Sequence, residues 1–235
     1  MSKNYIEYSP ELIKLIDSIV NKGNLGLKFE KNEDGSRVYC NYKSTSYNFH
    51  IDFPVSKFNF DGQEINFYDF GEFANIMKSF KYPNIIGTES NIVLDMDKSS
   101  VEYAIGDPDA IKRGFNKEKF PESDVSFKMS NESIKRLNGA KGLFSSEYLS
   151  FVYDGETLKA RLTSKSRGDN KYEEFYTVEN AENVSVEFKT FALVISALGI
   201  GDWNVDVSND GIVRFVYENN EDITLRLYCM RVDDE

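Results

Sequence analysis

Ser9-Pro10-Glu11-Leu12-Ile13-Lys14-Leu15-Ile16 and Ser130-Asn131-Glu132-Ser133-Ile134-Lys135-Arg136-Leu137 are two versions of one phrase, 121 residues apart. Each opens on a serine suited to cap a helix and places a glutamate two residues on, near the positive end of the helix dipole. Pro10 is pre-set for a first helical turn. Leu12, Leu15, Ile16, Ile19 and Val20 then recur at helical spacing, which predicts a helix over 10–22. The second copy predicts a helix over 131–143, with Gly139 and Gly142 expected to loosen its end. A short alternating segment precedes each phrase, at 4–8 and 125–129. A second pair follows in the same order: Phe70-Gly71-Glu72-Phe73-Ala74-Asn75-Ile76-Met77 resembles Phe188-Lys189-Thr190-Phe191-Ala192-Leu193-Val194-Ile195, at an offset of 118. It predicts helices over 71–82 and 189–198. One match between amphipathic helices proves little. Two ordered matches at nearly one offset indicate a duplicated domain.

Most of the remaining chain reads as strand. Asp34-Gly35, Asp61-Gly62, Asp154-Gly155 and Asp210-Gly211 are hairpin turn signals, most of them flanked by aromatic or β-branched runs. Segments 148–153 and 157–163 flank one such turn; 203–207 and 212–217 flank another. In the first half, 91–96 and 101–105 are readable strands after the second helix, whereas 109–115 is poorly patterned. Fewer strands are therefore expected there than in the second half. The predicted organisation is a first domain over 1–106, a connector over 107–122 containing Pro108, Pro121 and mixed charges, and a second domain over 123–235.

The 235 residues are 40% hydrophobic and 14% aromatic, too rich for a disordered chain despite a net charge of −11. No apolar run approaches the ~20 residues of a membrane span. Met1-Ser2-Lys3-Asn4-Tyr5 carries no apolar signal core, and Cys40 and Cys229 read as reduced strand residues. The expectation is a soluble, cytoplasmic protein. An acidic total opposes nucleic-acid binding unless the basic residues are segregated. The four expected helices carry Lys14, Lys22, Lys78, Lys81, Lys135, Arg136, Lys141 and Lys189 against Glu11, Asp17, Glu72 and Glu132, a net of +4 in a chain of −11, which leaves −15 elsewhere. Lysine also decorates any solvated helix face. The alternative is a basic helical surface facing a polyanion, with acidic sheets on the other side.

With these elements in place, the chain resembles the sliding clamps of the proliferating-cell-nuclear-antigen type, and within them the clamps of T-even phages. The resemblance covers nearly the whole chain. It is best from Val125 through Ser130–Leu137 and the Asp154-Gly155-Glu156 hairpin to segments 184–198 and 223–231. It implies an α+β fold of duplicated clamp domains, with antiparallel sheets outside and two helices per domain on the inner face. It further implies a homotrimeric ring around duplex DNA and a clamp loader that opens it. A DNA polymerase would be held through a short hydrophobic peptide near the connector and last strand. Phe115, Phe120, Tyr228 and Met230 are the expected partner residues, and the eight basic residues above are expected to face DNA. A viral origin would make the compartment the host cytoplasm. Scattered lysines suit sliding, since phosphate attraction carries no base readout.

Catalytic signals are weak. His50 is the sole histidine and sits in a strand pattern, Tyr47-Asn48-Phe49-His50-Ile51-Asp52. No nucleophile elbow, Walker loop or dinucleotide fingerprint occurs. Gly199-Ile200-Gly201 is too short for a phosphate loop and reads as a helix end. Asp95-Met96-Asp97 beside Lys98-Ser99-Ser100 reads as a hairpin turn. Asp206-x-Ser208-x-Asp210-Gly211 opens like a calcium loop, but Tyr217 stands where the bidentate glutamate belongs. No enzyme activity, cofactor, metal or membrane partner is expected. Two other classes fit the composition: an acidic DNA mimic that inhibits a nucleic-acid-binding enzyme, and a sugar- or ligand-binding β domain that would use the 14 tyrosines. Neither accounts for basic helices at equivalent places in two repeats.

Overall fold

Ser9 and Ser130 both begin helices as expected. The Ser130 hydroxyl accepts from the Ser133 N–H at 3.1 Å, and that of Ser9 from the Leu12 N–H at 3.4 Å. The computed structural model describes residues 4–20, 25–33, 35–41, 47–111, 120–164, 171–178, 181–190, 200–218 and 223–232. In the first half the order is β1 (Tyr5–Tyr8), α1 (Pro10–Val20), β2 (Gly26–Asn32), β3 (Gly35–Asn41), β4 (Tyr47–Phe53), β5 (Phe58–Asn59), β6 (Glu64–Phe67), α2 (Phe70–Ser79), β7 (Asn84–Gly87), β8 (Asn91–Met96) and β9 (Ser99–Ala104). In the second half it is β10 (Val125–Met129), α3 (Asn131–Phe144), β11 (Tyr148–Tyr153), β12 (Leu158–Thr163), β13 (Tyr172–Tyr176), β14 (Val184–Lys189), β15 (Trp203–Ser208), β16 (Ile212–Glu218) and β17 (Thr224–Met230).

Two compact units result. The first comprises Met1–Tyr42, Phe49–Gly114 and Glu218–Thr224; the second comprises Lys43–Asn48, Phe115–Tyr217 and Leu225–Glu235. Within the first, one antiparallel sheet runs β5-β1-β7-β8-β9 and another layer runs β4-β3-β2-β6. Within the second, the corresponding orders are β10-β15-β16-β17 and β13-β12-β11-β14. The topology is the same twice: β2 pairs with β3 and β6 as β11 pairs with β12 and β14. The duplication expected from two short sequence phrases thus extends to strand pairing.

Register follows from which faces are apolar. In the first unit Phe29 stands opposite Val38 and Ile65 on one face, and all three are buried. Phe29, Phe58, Phe67, Phe70 and Phe73 interlock there, with ring centroids of neighbouring pairs 4.5–5.6 Å apart. In the second unit Phe151, Phe188 and Phe215 pack similarly, at 5.5–6.2 Å. All four aspartyl-glycine turns place glycine at positive φ, from 83° to 138°. At Gly35 a β-carbon would also lie 2.9 Å from the Phe53 carbonyl oxygen, so no other residue fits.

Several expectations need correction. α1 is described as far as Val20, and 21–22 of the expected helix lie outside the described residues; Ile13 is fully buried whereas Leu15 is half-buried, so the apolar stripe is broader than the spacing suggested. α2 spans Phe70–Ser79. Lys81 and Tyr82 follow it in left-handed backbone (φ 57° and 59°), where the chain reverses into β7. α3 runs through Gly139 and Gly142 to Phe144 and ends on Ser145 in left-handed conformation. Lys189 closes strand β14 rather than opening a helix, because Val184, Val186 and Phe188 bury one face at period two. The remainder of that expected helix, 191–199, lies outside the described residues. The first unit is not short of strands: β7, β8 and β9 follow α2 just as β15, β16 and β17 close the second unit.

Candidate nucleic-acid interface

The helices' caps fix which side chains face outward. Asp69 caps α2 by accepting from the Glu72 N–H at 3.0 Å. Lys14 and Lys135 each occupy the fifth position of their helices, α1 and α3, and both are exposed. The Lys14 ammonium lies 5.2 Å from the centroid of the Tyr82 ring. This geometry holds the charge on an aromatic face and leaves it open to solvent.

Two other basic candidates are tied to acids. Lys78 on α2 pairs with Asp17 on α1; Asp17 is 4% accessible, and its Oδ1 has no hydrogen-bond partner. This brace joins the two helices of the first unit. The spacing could have flagged it: position 17 falls among 13, 16 and 20 on the apolar face, where a carboxylate needs a partner. Arg136 on α3 donates from Nε to Glu174 Oε1 at 2.9 Å and from Nη2 to Oε2 at 3.4 Å and to the Ser133 hydroxyl at 2.9 Å. Lys141 is half-buried. Lys189 donates to the Tyr148 hydroxyl at 2.9 Å and sits 4.2 Å from its ring centroid. Lys22 lies outside the described residues.

The charge balance changes accordingly. The three described helices hold Lys14, Lys78, Lys135, Arg136 and Lys141 against Glu11, Asp17, Glu72 and Glu132, a net of +1; Lys22 and most of the fourth helix counted in the expected +4 lie outside the described residues. Lys81 falls past a helix and Lys189 in a strand. The excess is concentrated on α3, with three basic residues and one acidic.

Glu174 is the residue the sequence reading missed. It lies on β13 with 9% accessibility and also accepts from the Tyr172 hydroxyl at 2.9 Å and the Tyr176 hydroxyl at 3.0 Å. Burial alone would raise its pKa; the hydrogen bonds from Arg136, Tyr172, Ser133 and Tyr176 outweigh burial and hold it below the ordinary carboxylate value. Burial, joined by the neighbouring carboxylate's charge, lifts the Tyr176 phenol far above its usual value. The cluster fastens α3 to β13. A carboxylate depressed in the folded state stabilises above its unfolded pKa, and that contribution fades as pH falls through the lower folded value. Glu174→Gln is therefore expected to cost about 1–3 kcal/mol at pH 7, from the missing charge-assisted hydrogen bonds. Its deficit should shrink towards pH 3. Urea unfolding of both proteins at pH 7 and pH 3 checks this, and a deficit independent of pH would contradict the assignment.

The expected partner residues gather partly in the second unit. The Phe120 ring lies 4.2 Å beneath the Arg214 guanidinium and 6.1 Å from the Tyr228 ring. Arg214 is itself fixed by Asp206, with donors at 2.9 and 2.7 Å. Phe120 and Met230 are half-buried. Tyr228, expected at the surface, is fully buried, because Leu227, Tyr228 and Cys229 are enclosed on both faces of β17. Phe115 lies outside the described residues. Among the described residues no group of three His, Cys, Asp or Glu side chains could hold a metal ion, and no helix is long and apolar enough to cross a membrane. Cys40 and Cys229 are buried free thiols whose pKa burial raises.

No family model and no curated protein matches the sequence. Solved structures do match. An A. fulgidus PCNA with the C-terminal region of FEN-1 bound aligns over 100% of both chains, at 15% identity and a TM-score of 0.73. The proliferating cellular nuclear antigen of Entamoeba histolytica covers 99% of this chain and 100% of its own, at 10% identity and 0.73. A PCNA2-PCNA3 complex from Sulfolobus tokodaii covers 97% and 98%, at 10% identity and 0.70. The twice-repeated arrangement of helices and antiparallel sheets, over its full length, is the fold of the PCNA-type sliding clamps.

Proposed function

We propose that this chain is one subunit of a homotrimeric ring that encircles duplex DNA without reading its sequence and tethers a replicative DNA polymerase. A clamp loader opens the ring; the subunit itself catalyses nothing. The observation that carries the reading is the duplicated strand order together with the full-length structural likeness to PCNA. The clamp domains are 1–106 and 123–235, joined through 107–122. The pattern from Val125 onward supports the closer likeness to T-even phage clamps, which would put the ring in a host cytoplasm. No observation favours an acidic DNA mimic.

Two features support assembly and docking. The sheets of the first and second units end on β9 and β13, and an edge strand offers unpaired backbone groups to another chain. β13 also exposes Phe175 at 63%, a side chain a neighbouring copy would cover. Head-to-tail contacts between unlike edges generate a ring when the rotation closes. The A. fulgidus PCNA carries the C-terminal region of a partner. A terminal peptide of polymerase or loader is proposed to dock here in the same manner, against Phe120 and Met230. Sedimentation equilibrium at micromolar concentration is expected to give three times the 27.0 kDa chain mass. A monomer that persists across salt concentrations would sink the ring.

A further inference from the structure

The aspartyl-glycine pairs do not stand alike in the fold. Asp154-Gly155 turns β11 into β12 and Asp210-Gly211 turns β15 into β16, each between strands that pair with one another. Asp61-Gly62 instead crosses from β5 to β6, which belong to different sheets. Asp34 lies outside the described residues.

An aspartate followed by glycine can react with its own backbone. The glycine nitrogen attacks the aspartyl Cγ, a C–N bond forms, one water leaves, and a five-membered succinimide closes. Water then opens either carbonyl, restoring aspartate or giving isoaspartate, whose main chain runs through the former side chain. Water is the only co-reactant, and nothing is oxidised or reduced. Glycine favours the attack because no β-carbon shields its nitrogen. The carboxyl must also be able to take up a proton, so that its oxygen leaves as water, and the glycine N–H must be free of other partners.

The fold withholds one or the other condition at most of these sites. Asp154 Oδ1 accepts from the Glu156 and Thr157 N–H groups at 3.3 Å each, and Oδ2 accepts from the Lys159 ammonium at 2.7 Å. The Lys159 ammonium, with those two amides, holds the carboxyl down at about 2, so its protonated form is scarce at neutral pH. At the next turn the buried Gly211 donates its N–H to the Ser208 carbonyl at 2.9 Å. Asn138-Gly139 is the pair expected to react fastest in a free chain, because an asparaginyl amide needs no proton uptake to be attacked. It lies inside α3, where the Gly139 amide belongs to the helical ladder.

Asp61-Gly62 has neither protection. Asp61, Gly62 and Gln63 are all exposed, and no hydrogen bond or ion pair engages Asp61 or Gly62 among the described residues. A β-carbon on Gly62 would meet nothing within 4 Å. The ends of the link are pinned, since the Lys31 ammonium donates to the Phe60 carbonyl at 3.1 Å and the Lys31 N–H to the Gln63 carbonyl at 2.8 Å. An extra main-chain carbon at position 61 therefore lengthens an exposed tip and leaves β5 and β6 in place. We propose that Asp61 is a modification site, converted to isoaspartate in the folded protein through a succinimide with Gly62, while the fold protects Asp154, Asp210 and Asn138.

The test incubates the folded full chain at pH 6 in water enriched in oxygen-18, returns it to ordinary water, and maps the label by digestion and mass spectrometry. The Asp61 peptide is expected to gain one heavy oxygen, and a growing share of it should resist an endoprotease that cuts before aspartate. Labelling at Asp154 should be at least about ten-fold slower, since each unit of lowered pKa removes a factor of ten in protonated carboxyl. At Asp210 and Asn138 it should be slower by about five-fold or more, the factor that one hydrogen bond is worth. In concentrated urea these differences should vanish, with Asn138 fastest. Asp61→Glu, whose longer side chain would have to close a six-membered ring, should remove the label from that peptide. An unlabelled Asp61 in the folded chain would overturn the proposal. So would labelling of Asp154, Asp210 or Asn138 as fast as Asp61 before unfolding, or a label that survives in the Asp61→Glu peptide.

Discussion

Phe67→Ala is expected to destabilise the protein by about 3–5 kcal/mol, the range for removing a phenyl ring from a closed core. Phe67 is fully buried on β6 and touches four other rings: Phe73 at 4.6 Å, Phe29 and Phe70 at 5.3 Å each, and Tyr103 at 6.1 Å between centroids. Those partners lie on α2, β2 and β9. Removing the ring therefore leaves a cavity bounded by three elements that cannot collapse together. Tyr103 also donates its hydroxyl to the Asp69 carbonyl at 2.9 Å, next to the α2 cap. Loosening that end should let the first turn of α2 fray. Urea unfolding by fluorescence is the measurement. A loss below about 1 kcal/mol would mean the aromatic cluster repacks and does not hold α2 in place.

The fold was legible where local chemistry and tertiary structure agree. Serine caps and the aspartyl-glycine turns ending at Gly35, Gly155 and Gly211 speak within a few residues, and the helices and hairpins they predicted are found; Gly62 instead links β5 and β6, which belong to different sheets. β7 was not legible: Asn84–Gly87 has only Ile85 and Ile86 to mark it, and it exists because β1 and β8 pair with it on either side. Lys189 misled for the opposite reason. A helical match at an offset of 118 outweighed the period-two burial of Val184, Val186 and Phe188, which was present in the sequence. Tyr228 shows a third limit. Alternation identifies a face only when one side of a strand is wet, and β17 buries three consecutive residues.

The candidate interface was less legible than the fold, because a lysine's position does not reveal its partner. Lys78 and Arg136 look like Lys14 and Lys135 in sequence. Asp17 and Glu174, 61 and 38 residues away, decide that they differ. Those pairs remove Lys78 and Arg136 as free charges and leave Lys14 and Lys135 exposed among the described helix residues.

Charge reversal at Lys14 and Lys135 together is expected to shorten polymerase run length on DNA by roughly ten-fold at 50 mM salt, with a smaller effect at 200 mM, where screening already weakens the parent. Both ammonium groups stand at the fifth position of equivalent helices, exposed and outside any ion pair among the described residues. In the proposed trimer each occurs three times, so the double variant alters six sites. For every phosphate no longer neutralised, the dependence of log affinity on log salt should flatten by about 0.9, and six such phosphates would flatten it by about 5. The single variants should act weakly and add, since the two lysines belong to different units. No change in base preference is expected, because phosphate contacts carry none. Lys128→Glu is the control: Lys128 is 68% exposed on β10 and lies 3.5 Å from Asp202, so its reversal changes net charge as much as either single variant without touching a helix. If the helix variants match that control at both salts, α1 and α3 do not face DNA. The chain would then keep the clamp fold without using its helices as a clamp does.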